Sequence, residues 1–281
     1  MPSPEAARSA PIRLGVASWL LGPLPLAERL RWAAESGFRS ASLLDSELAP
    51  SGASAAPVGE IARSLEVSGL EATVHAAPGP SDSLERKESF ARSVAAAAEL
   101  QRATGRVLCF SIDPAWRGGR RVEYDPDATL RALQQAALAL EGLGVAIAVE
   151  NWKINPEPAE FGRLAAELAP ARLGLVLDLG HLNVASRDPA RAVGSFPIPV
   201  HEVHVHDNAG DSDDHLPLGR GSLPLAEIAS AIRARGEPLA WTLEIRAAAE
   251  MAGCTIADPA ARETLLDSLR RLSTALARRP A

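Results

Sequence analysis

The chain has 281 residues, long for an ordinary domain and close to the roughly 250 typical of an α/β barrel. With 47% apolar and 23% charged residues and a net charge of −6, it suits a large core and lacks the basic face that nucleic-acid binding requires. No apolar run reaches the roughly 18 residues of a membrane span, and Cys109 and Cys254 form neither zinc-type spacing nor a disulfide framework, so a cytoplasmic protein with no membrane or nucleic-acid partner is expected.

Met1–Pro11 is rich in Ala, Pro and Ser and lacks the charged start and apolar core of a signal peptide, so it reads as a disordered tail. From residue 12 to 281 short apolar runs alternate with longer amphipathic stretches. The predicted strands are Ile12–Ser18, Arg39–Leu44, Glu71–His75, Arg106–Ile112, Val145–Glu150, Leu173–Asp178, Val200–His206 and Ala240–Ile245. The predicted helices are Leu26–Glu35, Val58–Val67, Leu84–Ala103, Ala128–Leu140, Pro158–Leu168, Pro189–Val193, Pro224–Arg235 and Pro259–Ala277. Ala49–Pro57 reads as a loop between a strand and the next helix. Eight β/α pairs without a long break imply a single (β/α)8 TIM barrel. A doubly wound sheet would carry a glycine-rich phosphate turn after its first strand, and Gly15-Val16-Ala17-Ser18-Trp19 is not one.

Function in such a barrel lies at the C-terminal strand ends. Alternate residues of a strand face opposite sides, so parity sorts the candidates. In the fifth strand Val145, Ile147 and Val149 form the bulky outward face, and Glu150 points inward with Ala146 and Ala148. In the sixth, Asp178 falls with Gly174 and Val176, opposite Leu173, Leu175 and Leu177. In the seventh, His204 and His206 face in, while His201 shares the outward face of Val203 and reads as structural. In the eighth, Glu244 faces in with Thr242. Burying three carboxylates together is costly unless a cation neutralises them. One divalent metal ion held by Glu150, Asp178, His204 and Glu244 is therefore expected, and mixed carboxylate and imidazole ligands suit Mn, Co, Zn or Mg. None of the six histidines lies in a predicted helix.

Glu150-Asn151, Asp178-Leu-Gly-His181, His204-Val-His-Asp207-Asn208, Asp213-Asp-His215-Leu-Pro-Leu-Gly219-Arg-Gly221 and Leu243-Glu244 together resemble the xylose-isomerase-like barrel superfamily. That group holds sugar phosphate isomerases and epimerases, inosose dehydratases and endonuclease IV. The resemblance implies the same metal set that parity selects, with Glu150 and Glu244 as the catalytic acid/base pair and His181 as a substrate contact. The nuclease branch implies a second metal at His181, Asp213 and His215, for which a simple loop brace is the alternative at the last two. The fourth strand ends Leu108-Cys109-Phe110-Ser111-Ile112-Asp113 without the nuclease's histidine, which argues against a trinuclear site. Arg220 and His206 depart from residues common in relatives and leave the reaction subclass open.

The expected reaction is proton transfer at carbon next to a carbonyl, on a small carbohydrate substrate, by way of a metal-stabilised enediolate. His75 and His181 are expected to contact substrate, and Trp19 and Trp152 either wall the pocket or pack on helices. The alternatives are an inosose- or shikimate-type dehydratase, an endonuclease IV-like phosphoesterase, and a binding barrel without catalysis. Arg117, Arg120 and Arg121 either grip a phosphate or face solvent. A homo-oligomer is compatible with the sequence.

Overall fold

The computed structural model describes residues 12–48, 57–79, 83–117, 123–152, 157–168, 173–236, 238–246 and 256–277. The tail before residue 12, Arg120, Arg121, Cys254 and most of the Ala49–Pro57 loop lie outside the described residues. Eight parallel strands close into a barrel: β1 Leu14–Ala17, β2 Ser40–Leu44, β3 Glu71–Ala76, β4 Val107–Ile112, β5 Ala146–Glu150, β6 Leu173–Asp178, β7 Val200–Val205 and β8 Ala240–Leu243. Each strand pairs with its sequence neighbours, and β8 closes on β1 through Leu14–Trp241 and Val16–Leu243. Helices surround this ring, as the alternating pattern requires.

The period-2 pattern divides the core in two. Outward residues such as Ile147, Val149, Leu175, Leu177, Val203, Val205, Trp241 and Leu243 pack with the helices in one large apolar cluster. Inside the barrel the apolar filling is a small group, Cys109, Ala148 and Val176. The free cysteine Cys109 is thus a buried packing residue, and burial holds its thiol well above the usual range.

Local chemistry sets the element ends. Leu26–Glu35 and Pro259–Ala277 span their predicted ranges. The predicted Ala128–Leu140 helix begins at Pro126 instead, because the Asp125 carboxylate caps the Ala128 N–H and Pro126 suits the first turn. Four elements were not anticipated. Asp178 caps a helix over Leu179–Ala185, and this helix carries His181. Short helices occupy Ser18–Leu21 and Asp45–Leu48. A two-stranded antiparallel ribbon pairs Trp116–Arg117 with Glu123–Tyr124, and Arg117, whose side chain stays exposed to solvent, forks onto Asp125 at 2.7 and 3.2 Å.

The placement of His201 corrects the simple parity reading. Leu175 pairs with Val200, but Val176 pairs with Glu202, so His201 is an extra residue in a β-bulge. Its ring does not join Val203 on the outward face. It lies over Gly174, where a Cβ would come within 2.0 Å of the imidazole. Glycine at this position therefore makes room for the bulge. Gly174→Ala should destabilise the protein by about 1–3 kcal/mol through overpacking. The double variant with His201→Ala should recover much of that loss in a thermal melt; equal destabilisation with and without the ring would disprove the contact.

Candidate functional site

The inward positions at the C-terminal ends of β3 and β5–β8 bring His75, Glu150, Asp178, His204, His206 and Glu244 together, all buried. Glu150 and Glu244 approach the same nitrogen, with Glu150 Oε2 at 3.3 Å and Glu244 Oε1 at 3.6 Å from His204 Nδ1. Donor atoms of Asp178, His204 and Glu244 lie within 4.8 Å of one another, as do those of Glu150, Asp178 and His181. Glu150 Oε2 and His204 Nδ1 are buried yet make no hydrogen bond among the described residues. A buried carboxylate oxygen and imidazole nitrogen facing each other are costly unless a ring proton or a bound cation lies between them. The oxygen and nitrogen donor set fits a borderline or hard divalent ion.

Neighbouring groups hold this arrangement in place. Asn151 clamps β5 to β6: its Oδ1 accepts the Asp178 N–H at 2.8 Å, and its Nδ2 donates to the Asp178 carbonyl at 3.1 Å. His181 Nδ1 meets the Asn151 carbonyl at 2.8 Å and Glu150 Oε1 at 3.2 Å, and its Nε2 faces Asp213 Oδ2 at 3.3 Å. His206 Nε2 contacts both Asp178 oxygens at 3.1 and 3.2 Å, and its ring stacks on His215 at 3.9 Å. Gly180 allows this approach, because a Cβ there would fall 1.8 Å from His206 Cε1.

The loop after β7 places Asp213 and His215. The Asp207 carboxylate accepts backbone N–H groups from Asn208, Gly219, Gly221 and Leu223 at 2.8–3.0 Å. Those bonds explain much of the Asp207-Asn208…Leu-Gly-x-Gly pattern as loop architecture. His215 adopts a positive φ of 51° and sets its Nδ1 2.7 Å from the Glu244 carbonyl, with Nε2 3.7 Å from Asp213. His206, Asp213 and His215 bring donor atoms within 4.8 Å, so these loop residues form a second cluster beside the first.

Electrostatics follow from burial and pairing. Burial alone would raise Glu150, but the imidazoles of His181, His204 and His75 hold it far below the usual carboxylate range. Asp178 is lowered against the same burial penalty by His181, His206 and His204. Burial would lower His204, yet Glu244, Glu150 and Glu202 raise it well above its ordinary value.

Sequence reasoning passed over Asp113, Trp116 and Glu202. Asp113 sits 3.1 Å from His75 Nε2, in place of a histidine after β4. Trp116 stacks on Trp152 at 5.5 Å, and Trp19 approaches the His75 ring at 5.8 Å. Glu202 is fully buried inside the barrel below His204. It shares inward parity with His204 and His206, so extending the parity test below the strand ends would have found it.

The chain matches the family described as Xylose isomerase-like TIM barrel over residues 30–274. It belongs to that family. An uncharacterized protein of Methanocaldococcus jannaschii is 27% identical over 118 residues, 39% of this chain and 40% of that protein. The crystal structure of D-psicose 3-epimerase with D-tagatose from Clostridium cellulolyticum H10 superposes with a TM-score of 0.74 at 14% identity, covering 94% of this chain and 99% of that one. The IOLI protein with a bound zinc atom superposes with a TM-score of 0.69 at 16% identity, covering 95% of this chain and all of that one, 100%. At these identities the likeness is one of fold.

His75 yields a direct test of the site's electrostatics. Burial would lower its pKa, but Asp113 and Glu150 raise it from 6.5 to about 9. The folded-state value is raised, so the stability it contributes is full below about 6.5 and is lost as pH rises through about 9. An NMR titration of the metal-stripped protein should find the His75 midpoint near 9, and Asp113→Asn should bring it down. An unshifted midpoint in the variant would show that Asp113 does not set it.

Proposed function

We propose that this protein is a divalent-metal-dependent isomerase or epimerase of a small sugar, sugar phosphate or polyol. The observation that supports the reading is that Glu150, Asp178, His204 and Glu244 lie buried in overlapping donor clusters, with Glu150 and Glu244 both beside His204 Nδ1. The epimerase and the zinc-bound protein of the same fold are consistent with it. When bound, the ion supplies Lewis-acid stabilisation of negative charge on the substrate's oxygens.

The chain's own groups do the rest. Glu150 and Glu244 reach the site from strands separated by β6 and β7, so they flank a substrate from different sides. One takes the proton from the carbon next to the carbonyl. The other returns a proton, at the same carbon from the opposite face in an epimerase or at the neighbouring carbon in an isomerase. His181 and His75 orient substrate hydroxyls. The stacked Trp116 and Trp152, with Trp19, offer flat apolar faces to the C–H side of a sugar.

Protein purified without chelator or a histidine tag should carry about one metal equivalent per chain, lost in Glu150→Ala and Asp178→Ala. On a substrate found by a sugar screen, Glu150→Gln and Glu244→Gln should each lower kcat by roughly 100- to 10,000-fold, the usual worth of a proton-transfer group. Solvent deuterium should appear in recovered substrate. Near-normal turnover in both glutamine variants would refute the two-glutamate scheme, and loss of water without exchange would identify a dehydratase.

The second cluster, His206, Asp213 and His215 beside His181, favours one further reading: a two-metal hydrolase related to the nuclease branch. Two equivalents per chain and nicking of abasic DNA would support it over the isomerase. The net charge of −6 speaks against a DNA substrate.

A further inference from the structure

We propose that Glu202 is a positioning residue for the metal centre, holding the Nε2–H of His204 from inside the barrel so that Nδ1 presents its lone pair to the ion. The inference rests on the metal-centre reading above and assigns a role to a residue that neither binds the ion nor touches substrate.

Glu202 lies two residues before His204 on β7, so both side chains point into the barrel. Both are fully buried. One Glu202 oxygen, Oε1, accepts hydroxyl hydrogens from Thr73 on β3 at 2.7 Å and Thr242 on β8 at 2.8 Å. The same oxygen is 3.5 Å from His204 Nε2, on the opposite edge of the ring from Nδ1, which faces Glu150 and Glu244. Glu202 Oε2 and His204 Nε2 make no hydrogen bond among the described residues. A buried carboxylate with a free oxygen below an imidazole with a free nitrogen is a costly pair to keep apart. The 3.5 Å from Oε1 to Nε2 already puts the carboxylate at the edge of hydrogen-bond reach of the ring. A carboxylate behind a ligating histidine fixes its tautomer and ring orientation and strengthens it as a ligand. The two threonine hydroxyls, reaching from strands on either side of the barrel interior, keep the carboxylate from turning away.

The competing account makes Glu202 only a brace that ties β3, β7 and β8 together. The two accounts separate on metal affinity. Glu202→Gln should weaken binding of Mn(II), Co(II) and Zn(II) by 10- to 100-fold in competition with a chromophoric chelator. It should also shift the visible bands of the Co(II)-loaded protein, while the melting temperature of the metal-stripped protein stays at or above wild type because a buried charge has been removed. Thr242→Val should give a smaller loss of affinity in the same direction. Unchanged affinity in Glu202→Gln, with or without a lower melting temperature, would overturn the proposal while leaving the metal centre standing. If the glutamine variant does not fold, 15N NMR of zinc-loaded wild type decides: Nδ1 ligation with a proton on Nε2 of His204 is expected, and ligation through Nε2 overturns it. Failure of the wild type to take up any of the three ions would instead bring down the metal-centre reading, and this inference with it.

Discussion

Mutual repulsion among buried carboxylates is the constraint on which the rest of the molecule depends. Glu150, Asp178, Glu202 and Glu244 all point into one barrel and are almost wholly removed from water. Placed so, each would ordinarily take up a proton or unfold the strand that carries it. Instead the barrel surrounds them with imidazoles from β3, β7 and the helix after β6, with threonine hydroxyls, and with the reciprocal Asn151–Asp178 bonds. Rigidity at the strand ends is a condition for that solution, because a carboxylate displaced by an ångström loses its partner and keeps its desolvation cost.

Much of this was legible in the sequence, because strand parity is a strong physical rule. Glu150, Asp178, His204 and Glu244 were selected because they alternate with the bulky outward residues Val149, Leu177, Val203 and Leu243, and the structure buries these four in overlapping donor clusters. The rule failed where backbone geometry departs from a regular strand. His201 follows the wrong parity because a bulge inserts one residue, and no composition cue marks it. The helix at Leu179–Ala185 was missed because Gly180 weakens its helical pattern, although the Asp178 cap makes up the loss. The Trp116 ribbon is too short to give a period, so the Trp116–Trp152 stack could not be read at all.

The run from Asp207 to Gly221 serves two separate purposes. Asp207, Asn208, Gly219 and Gly221 satisfy one another's backbone groups, and their chemistry is that of a folded loop. Asp213 and His215 ride on that loop into the pocket. A motif of this kind therefore points to a shape as much as to a reaction, and a barrel can keep the shape while changing the groups it presents.

The two register shifts in the barrel share a position. One lies between Leu175 and Val176 against β7, the other between Ala72 and Thr73 against β4. Both are complete before the side chains that line the pocket begin. Without the β7 shift, Asp178 would stand opposite Val203 instead of His204. The bulges thus act as couplings between two halves of the barrel with different tolerances. The foot of the barrel can pair in one register while the rim takes the register that sets Asp178 opposite His204.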